Sequence, residues 1–171
     1  AWALHNLAQN LDNQVTIAHA GAVEPLVQLL RTGDAEGKIV AARALSNLAR
    51  NSDNQIAIAR AGAVDPLVQL LRTGDANGKI TAARALSSLA ENSDNQVSIV
   101  HAGAVDPLLV QLLRTRDAEG KAQAATALSR LAMNSDNKVA IVCAGAVKLL
   151  VQLLRTGDAE GKIMAALALG N

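Results

Sequence analysis

Apolar residues along the chain recur on two scales. Over short stretches they follow the helical period. In AARALSNLAR, Ala41, Ala44, Leu45, Leu48 and Ala49 fall on one stripe, while Arg43, Ser46, Asn47 and Arg50 stand at i, i+3, i+4 and i+7 on the other side. Over longer stretches the whole pattern repeats: AGAV begins at Ala20, Ala61, Ala102 and Ala144, spacings of 41, 41 and 42 residues. In the unit Asn51 to Glu91, Ser52 with Gln55 reads as a capping box that opens a short first helix, and Gly62 closes it. A second helix carries Asp65-Pro66 in its first turn, then LVQLLR, and is expected to stop at a left-handed Gly74. Asp75 caps a longer third helix running to about Ala90. No stretch reads as a strand. The pattern predicts an all-α solenoid of about four three-helix units.

Unit boundaries come from the repeat: a partial third helix over 1–9, then units over 10–50, 51–91, 92–133 and a truncated 134–171, together one domain. The third unit has an extra leucine (Pro107-Leu108-Leu109-Val110) and Arg116 in place of Gly. One inserted residue turns the remainder of its helix by about 100°, so irregularity is expected near 107–117. The fourth unit has Lys148-Leu149 in place of Asp-Pro. Both ends fall within a third helix and neither reads as a polar cap. They are expected to continue into a longer array or to stack on neighbouring molecules.

Composition narrows the picture. Phe and Tyr are absent and Trp2 is the only aromatic residue, so the core must be built from Leu, Ile, Val and Ala. Such small side chains suit helix axes about 8–10 Å apart. A net charge of +1 gives no general attraction to nucleic acid or membranes. The single cysteine, Cys143, excludes an internal disulfide and fits a reducing compartment. With no long apolar run and no basic–apolar–small leader, a cytoplasmic or nuclear protein is expected.

Comparing units separates frame from surface. The apolar stripe of the third helix hardly changes, whereas its polar face does: Trp2, His5, Asn6 and Gln9 become Arg43, Ser46, Asn47 and Arg50, then Arg84, Ser87, Ser88 and Glu91. Next come Thr126, Ser129, Arg130 and Met133, then Leu167, Gly170 and Asn171. Stacked third helices would turn these faces into a ladder whose rungs match two or three residues of an extended peptide. Asn6, Asn47 and Ser88 could bond a peptide backbone, and Arg43, Arg50, Arg84 and Arg130 against Glu91 make the ladder net basic. An acidic or phosphorylated segment is the expected ligand. Alternatives are a structural or self-assembling array, and single-stranded nucleic acid, for which the stacking aromatics are lacking apart from Trp2.

Other chemistry finds no footing. GDAEGK (Gly33 to Lys38) has three residues between its glycines, Ile39 after the lysine and no preceding strand, unlike a nucleotide-binding loop. His5, His19 and His101 lie in different units without ligand-spaced partners, and Cys143 has no activating neighbour. Asp34 and Glu36 and their copies suit helix starts. No cofactor, metal or catalytic activity is expected.

The strings DNQIAIARAGAVDPLVQLLRTGD and GKITAARALSSLA, repeated with few changes, resemble the armadillo repeat family, and GDAEGKIVAARALSNLA is similar to the arrays of plant U-box ubiquitin ligases. The resemblance implies a right-handed armadillo-type solenoid that binds proteins. AWALHNLA resembles the third helix of importin-α, where the Trp and the Asn four residues on line a peptide groove. That implies groove roles for Trp2 and Asn6. The Asn position persists at Asn47 and Asn171 but is Ser88 and Arg130 elsewhere, and the Trp position becomes Arg43, Arg84, Thr126 and Leu167. Arginines in place of cation-accepting rings speak against a basic nuclear-localisation ligand. The similarity between units fits recent duplication or consensus-style design.

Overall fold

The computed structural model of the chain describes residues 7–8, 10–106, 112–115 and 117–171. These form helices and turns without a strand. In chain order the helices are α1 (Leu11–His19), α2 (Val23–Thr32), α3 (Ala35–Leu48), α4 (Ser52–Arg60), α5 (Val64–Thr73) and α6 (Ala76–Leu89). The chain continues with α7 (Ser93–His101), α8 (Ala118–Leu131), α9 (Ser135–Cys143), α10 (Ala146–Thr156) and α11 (Ala159–Gly170). The long third helices α3, α6, α8 and α11 pack one on the next, and each second helix described packs on the third helix of its own unit.

Three kinds of junction recur from unit to unit, each for a local reason. The first helices are capped by asparagine: Asn51 Oδ1 accepts from the N–H groups of Asp53 (3.0 Å) and Asn54 (3.2 Å), and Asn92 does the same one unit on. This corrects the expected capping box. Ser52 is the first helical residue, and the Gln55 amide donates to the Ala49 carbonyl instead. The first helices end in a Schellman turn, in which Gly62 N–H bonds Ala59 O and Ala63 N–H bonds Ile58 O. Gly62 has φ +79°, a conformation only glycine adopts cheaply. Gly74, expected to be left-handed, is not: its φ is −67° and ψ 162°, an extended residue whose N–H bonds Leu70 O. The extended geometry lets the next residue act at once as a cap. Asp34, Asp75, Asp117 and Asp158 each accept the N–H of the glycine three residues on, at 2.7–2.8 Å.

The core is aliphatic and continuous. Leu45, Leu48, Leu86, Leu89, Leu128 and Leu131 from the third helices are fully buried with Leu30, Leu71, Ile58 and Ile99. Alanines at 41, 42, 82, 83, 124 and 125 of the third helices are fully buried in this core, where a larger side chain would hold packed helices apart. A buried asparagine stitches the units together: Asn95 Nδ2 donates to two carbonyls of the preceding unit, Gln55 O and Leu89 O, both at 3.1 Å. Asn54 and Asn137 repeat this bond pair.

Of the expected irregularity near 107–117, residues 107–111 and 116 lie outside the described residues. The preceding Val105 and Asp106 lie in a turn, whereas their counterparts Val64 and Asp65 already begin α5. The fourth unit, without its Pro start, begins α10 earlier, directly after left-handed Gly145.

Candidate interaction surface on the third helices

Among the described residues expected to form the ladder, contacts run from one third helix to the next. Arg43 Nη2 donates to Asn77 Oδ1 at 3.1 Å, joining α3 to α6. Arg84, the same position one unit on, forms an ion pair with Glu119 at the start of α8. Arg130 on α8 reaches back to α6, pairing with Glu91 at 2.6 Å and donating to Ser87 Oγ at 2.8 Å. Asn171 Nδ2 donates to the Ser129 carbonyl at 2.9 Å and its hydroxyl at 3.1 Å, joining α11 to α8. Ser46 and Ser88 hydroxyls lie 3.3 Å apart across α3 and α6.

This arrangement changes what the face can offer. Ser46, Ser87 and Ser129 are not on the surface but buried between third helices, where Ser87 accepts from Arg130 and Ser129 from Asn171. Ser88 also donates to its own helix at Arg84 O, and Thr126 donates to Ala122 O. Two of the four ladder arginines are matched by a carboxylate: Arg84 by Glu119 and Arg130 by Glu91. Among the described residues Arg43 meets only a neutral amide, because Asn77 stands where the other units have Glu36, Glu119 and Glu160. Arg50 is exposed and enters no ion pair among the described residues. Asn47 is half-buried. Trp2 and Asn6 lie outside the described residues.

The role of Glu119 is hidden in the sequence, where it reads as one more helix-start acid. Its signal is the offset of 35 residues from Arg84, matched by the 34 between Arg43 and Asn77. The bridging asparagines escape the sequence reading too, although Asn54, Asn95 and Asn137 keep their identity in every copy while lying among polar residues. Among the described residues no cluster of His, Cys, Asp and Glu could hold a metal ion. Cys143 is exposed at the end of α9. No single described helix is long and apolar enough to cross a membrane.

Stacked three-helix units joined rung to rung define an armadillo-type repeat solenoid. The profile of the plant U-box protein ARM repeat region matches residues 3–169, and the chain belongs to that family. A crystal structure of an engineered protein is 40% identical, with a TM-score of 0.92 over 98% of this chain and 69% of that one. A designed armadillo repeat protein in complex with the peptide (KR)4 is 31% identical, with a TM-score of 0.89 over 99% of this chain and 72% of that one. Another designed armadillo repeat protein is 29% identical, with a TM-score of 0.92 over 98% of this chain and 72% of that one. Among curated protein sequences none matches.

Proposed function

We propose that the chain is a non-catalytic interaction scaffold that binds an extended, acidic or phosphorylated protein segment along its third-helix face. The observation carrying this reading is the unequal neutralisation of the arginine ladder. Arg84 and Arg130 are held by Glu119 and Glu91, whereas Arg43 meets only Asn77 and Arg50 meets no carboxylate among the described residues. Anion recognition therefore centres on Arg43 and Arg50 of α3, with the later rungs closer to neutral. A guanidinium that is not ion-paired offers its fork to carboxylate or phosphate without first losing a partner. The designed relative's (KR)4 ligand is basic; the arginines of this face would repel such a peptide, so the two grooves differ in preference. A lone exposed Cys143 fits a cytoplasmic or nuclear setting.

The test is a titration of an Asp/Glu-rich peptide and a (Lys-Arg) repeat peptide, before and after Arg43→Glu with Arg84→Glu. Tight binding of the acidic peptide alone, weakened by at least about tenfold in the double variant, is the expected result. Unchanged affinity for the acidic peptide would remove the charge reading.

A further inference from the structure

Where one unit meets the next, the end of the second helix and the start of the third form a cavity against the following unit. At the first junction it is lined by Arg31, Lys38 and Asp65. Its counterpart at the third junction, about 480 Å³, is lined by Arg114, Lys121 and Lys148. Asp65 and Asp106 of the earlier junctions are thus replaced by a lysine, and the charge of the three positions changes from +1 to +3. The arginine has also changed its engagement. Arg31 Nη2 donates to Gly62 O at 3.1 Å, and Arg72 pairs with Asp106 at 3.0 Å. Both guanidinium groups lie against the left-handed glycine, within 2.5–2.6 Å of where a Cβ would stand. Among the described residues nothing lies within 4 Å of that space at Gly145, and Arg114 enters no ion pair. Two features of one site have therefore altered together: the acid is gone and the arginine no longer fills the groove.

We propose that Arg114, Lys121 and Lys148 form a binding site for a phosphate group carried by a phosphorylated protein side chain. Three cations without a carboxylate repel one another, and a phosphate of about −1.5 to −2 charge returns the cluster to the balance of the other junctions. Gln152 adds a neutral polar group, and Leu113 and Leu153, both buried, supply an apolar floor for the methylene that carries the phosphate. A protein source is favoured over a lipid one because polybasic membrane patches gather about 4–8 cations, and this chain has a net charge of +1. The site is independent of the third-helix face: Lys121 and Arg130 are nine residues apart on α8, which puts them on opposite sides of the helix.

The probes are inorganic phosphate and the peptide Ala-Ala-phosphoserine-Ala-Ala, titrated at fixed ionic strength and followed by the amide resonances of Gly145 and Lys148. Saturable shifts are expected with both, absent with the unphosphorylated peptide. Lys148→Asp, which restores the acid of the earlier junctions, should weaken binding by about tenfold or more, and Lys148→Gln by less, while Arg43→Glu leaves it unchanged. The proposal is overturned by absence of saturation in the native chain, by equal affinity in Lys148→Asp, or by loss of binding in Arg43→Glu. It is likewise overturned if phosphatidylserine vesicles sediment the chain through Lys148 while the phosphopeptide does not bind.

Discussion

Replacing Asn95 by alanine tests whether the units are joined chiefly by specific polar stitching or by apolar stacking alone. The Asn95 amide makes two buried hydrogen bonds into the preceding unit, to Gln55 O on α4 and to Leu89 O at the end of α6, each at 3.1 Å. A net contribution of about 1 kcal/mol per bond gives about 2 kcal/mol. The two carbonyls keep other partners in or beside their helices (Leu89 O also accepts from Asn92 N–H), so the penalty for orphaned acceptors is small. The vacated volume adds about 0.5–1 kcal/mol, for a total of about 2–3 kcal/mol. In a chain of this size that lowers Tm by about 4–12 °C. Asn13 provides the control, because among the described residues it bonds only Leu7 O, at 3.1 Å, and is half-buried. Asn13→Ala should cost about 0.5–1 kcal/mol. Urea and thermal unfolding of both variants give the comparison. Since solenoid stability is a sum of unit and interface terms, the Asn95 variant should also separate the transition into two steps. Equal midpoints for the two variants would refute the stitching account.

Two further substitutions probe the frame and the face. Gly62→Ala forces a Cβ onto a φ of +79° and against Arg31, and should cost about 1–2 kcal/mol; a thermal melt unchanged from the native chain would contradict the left-handed turn. Glu119→Gln removes the partner of Arg84 from an exposed pair, so stability should change by no more than about 1 kcal/mol. The freed guanidinium should raise affinity for an acidic peptide in the same titration, and unchanged affinity would mean that Arg84 lies outside the bound segment's reach.

The architecture is legible because the repeat states it four times. A helix start that reads as Asp with Gly three residues later, at 34, 75, 117 and 158, cannot be mistaken for chance, and each of those caps forms as read. Where sequence and structure part, two local solutions are chemically close. Ser52 and Asn51 can both cap a helix, and Asn51 takes the role because its side chain reaches two amide groups from one position further back. Gly74 and Gly62 each end a helix, but Gly74 must deliver the chain into a new cap within one residue, which an extended backbone does and a left-handed one does not.

The face is less legible than the frame for a reason of the same kind. Hydrogen bonds within a unit have fixed short offsets, whereas those between rungs join residues 34 to 43 apart, and a periodicity read along one helix does not contain them. Arg43, Arg84 and Arg130 look alike as exposed cations on a third helix. What distinguishes them is the residue one unit away, Asn77, Glu119 or Glu91. On the proposed reading, a single Glu-to-Asn difference at 77 sets where an anion would bind, and a single acid-to-lysine difference at 148 does the same at the outer junction. In a solenoid built from near-identical units, specificity lies in the few positions where a unit fails to match its neighbour. Those mismatches are better guides to ligands than the composition of any one helix.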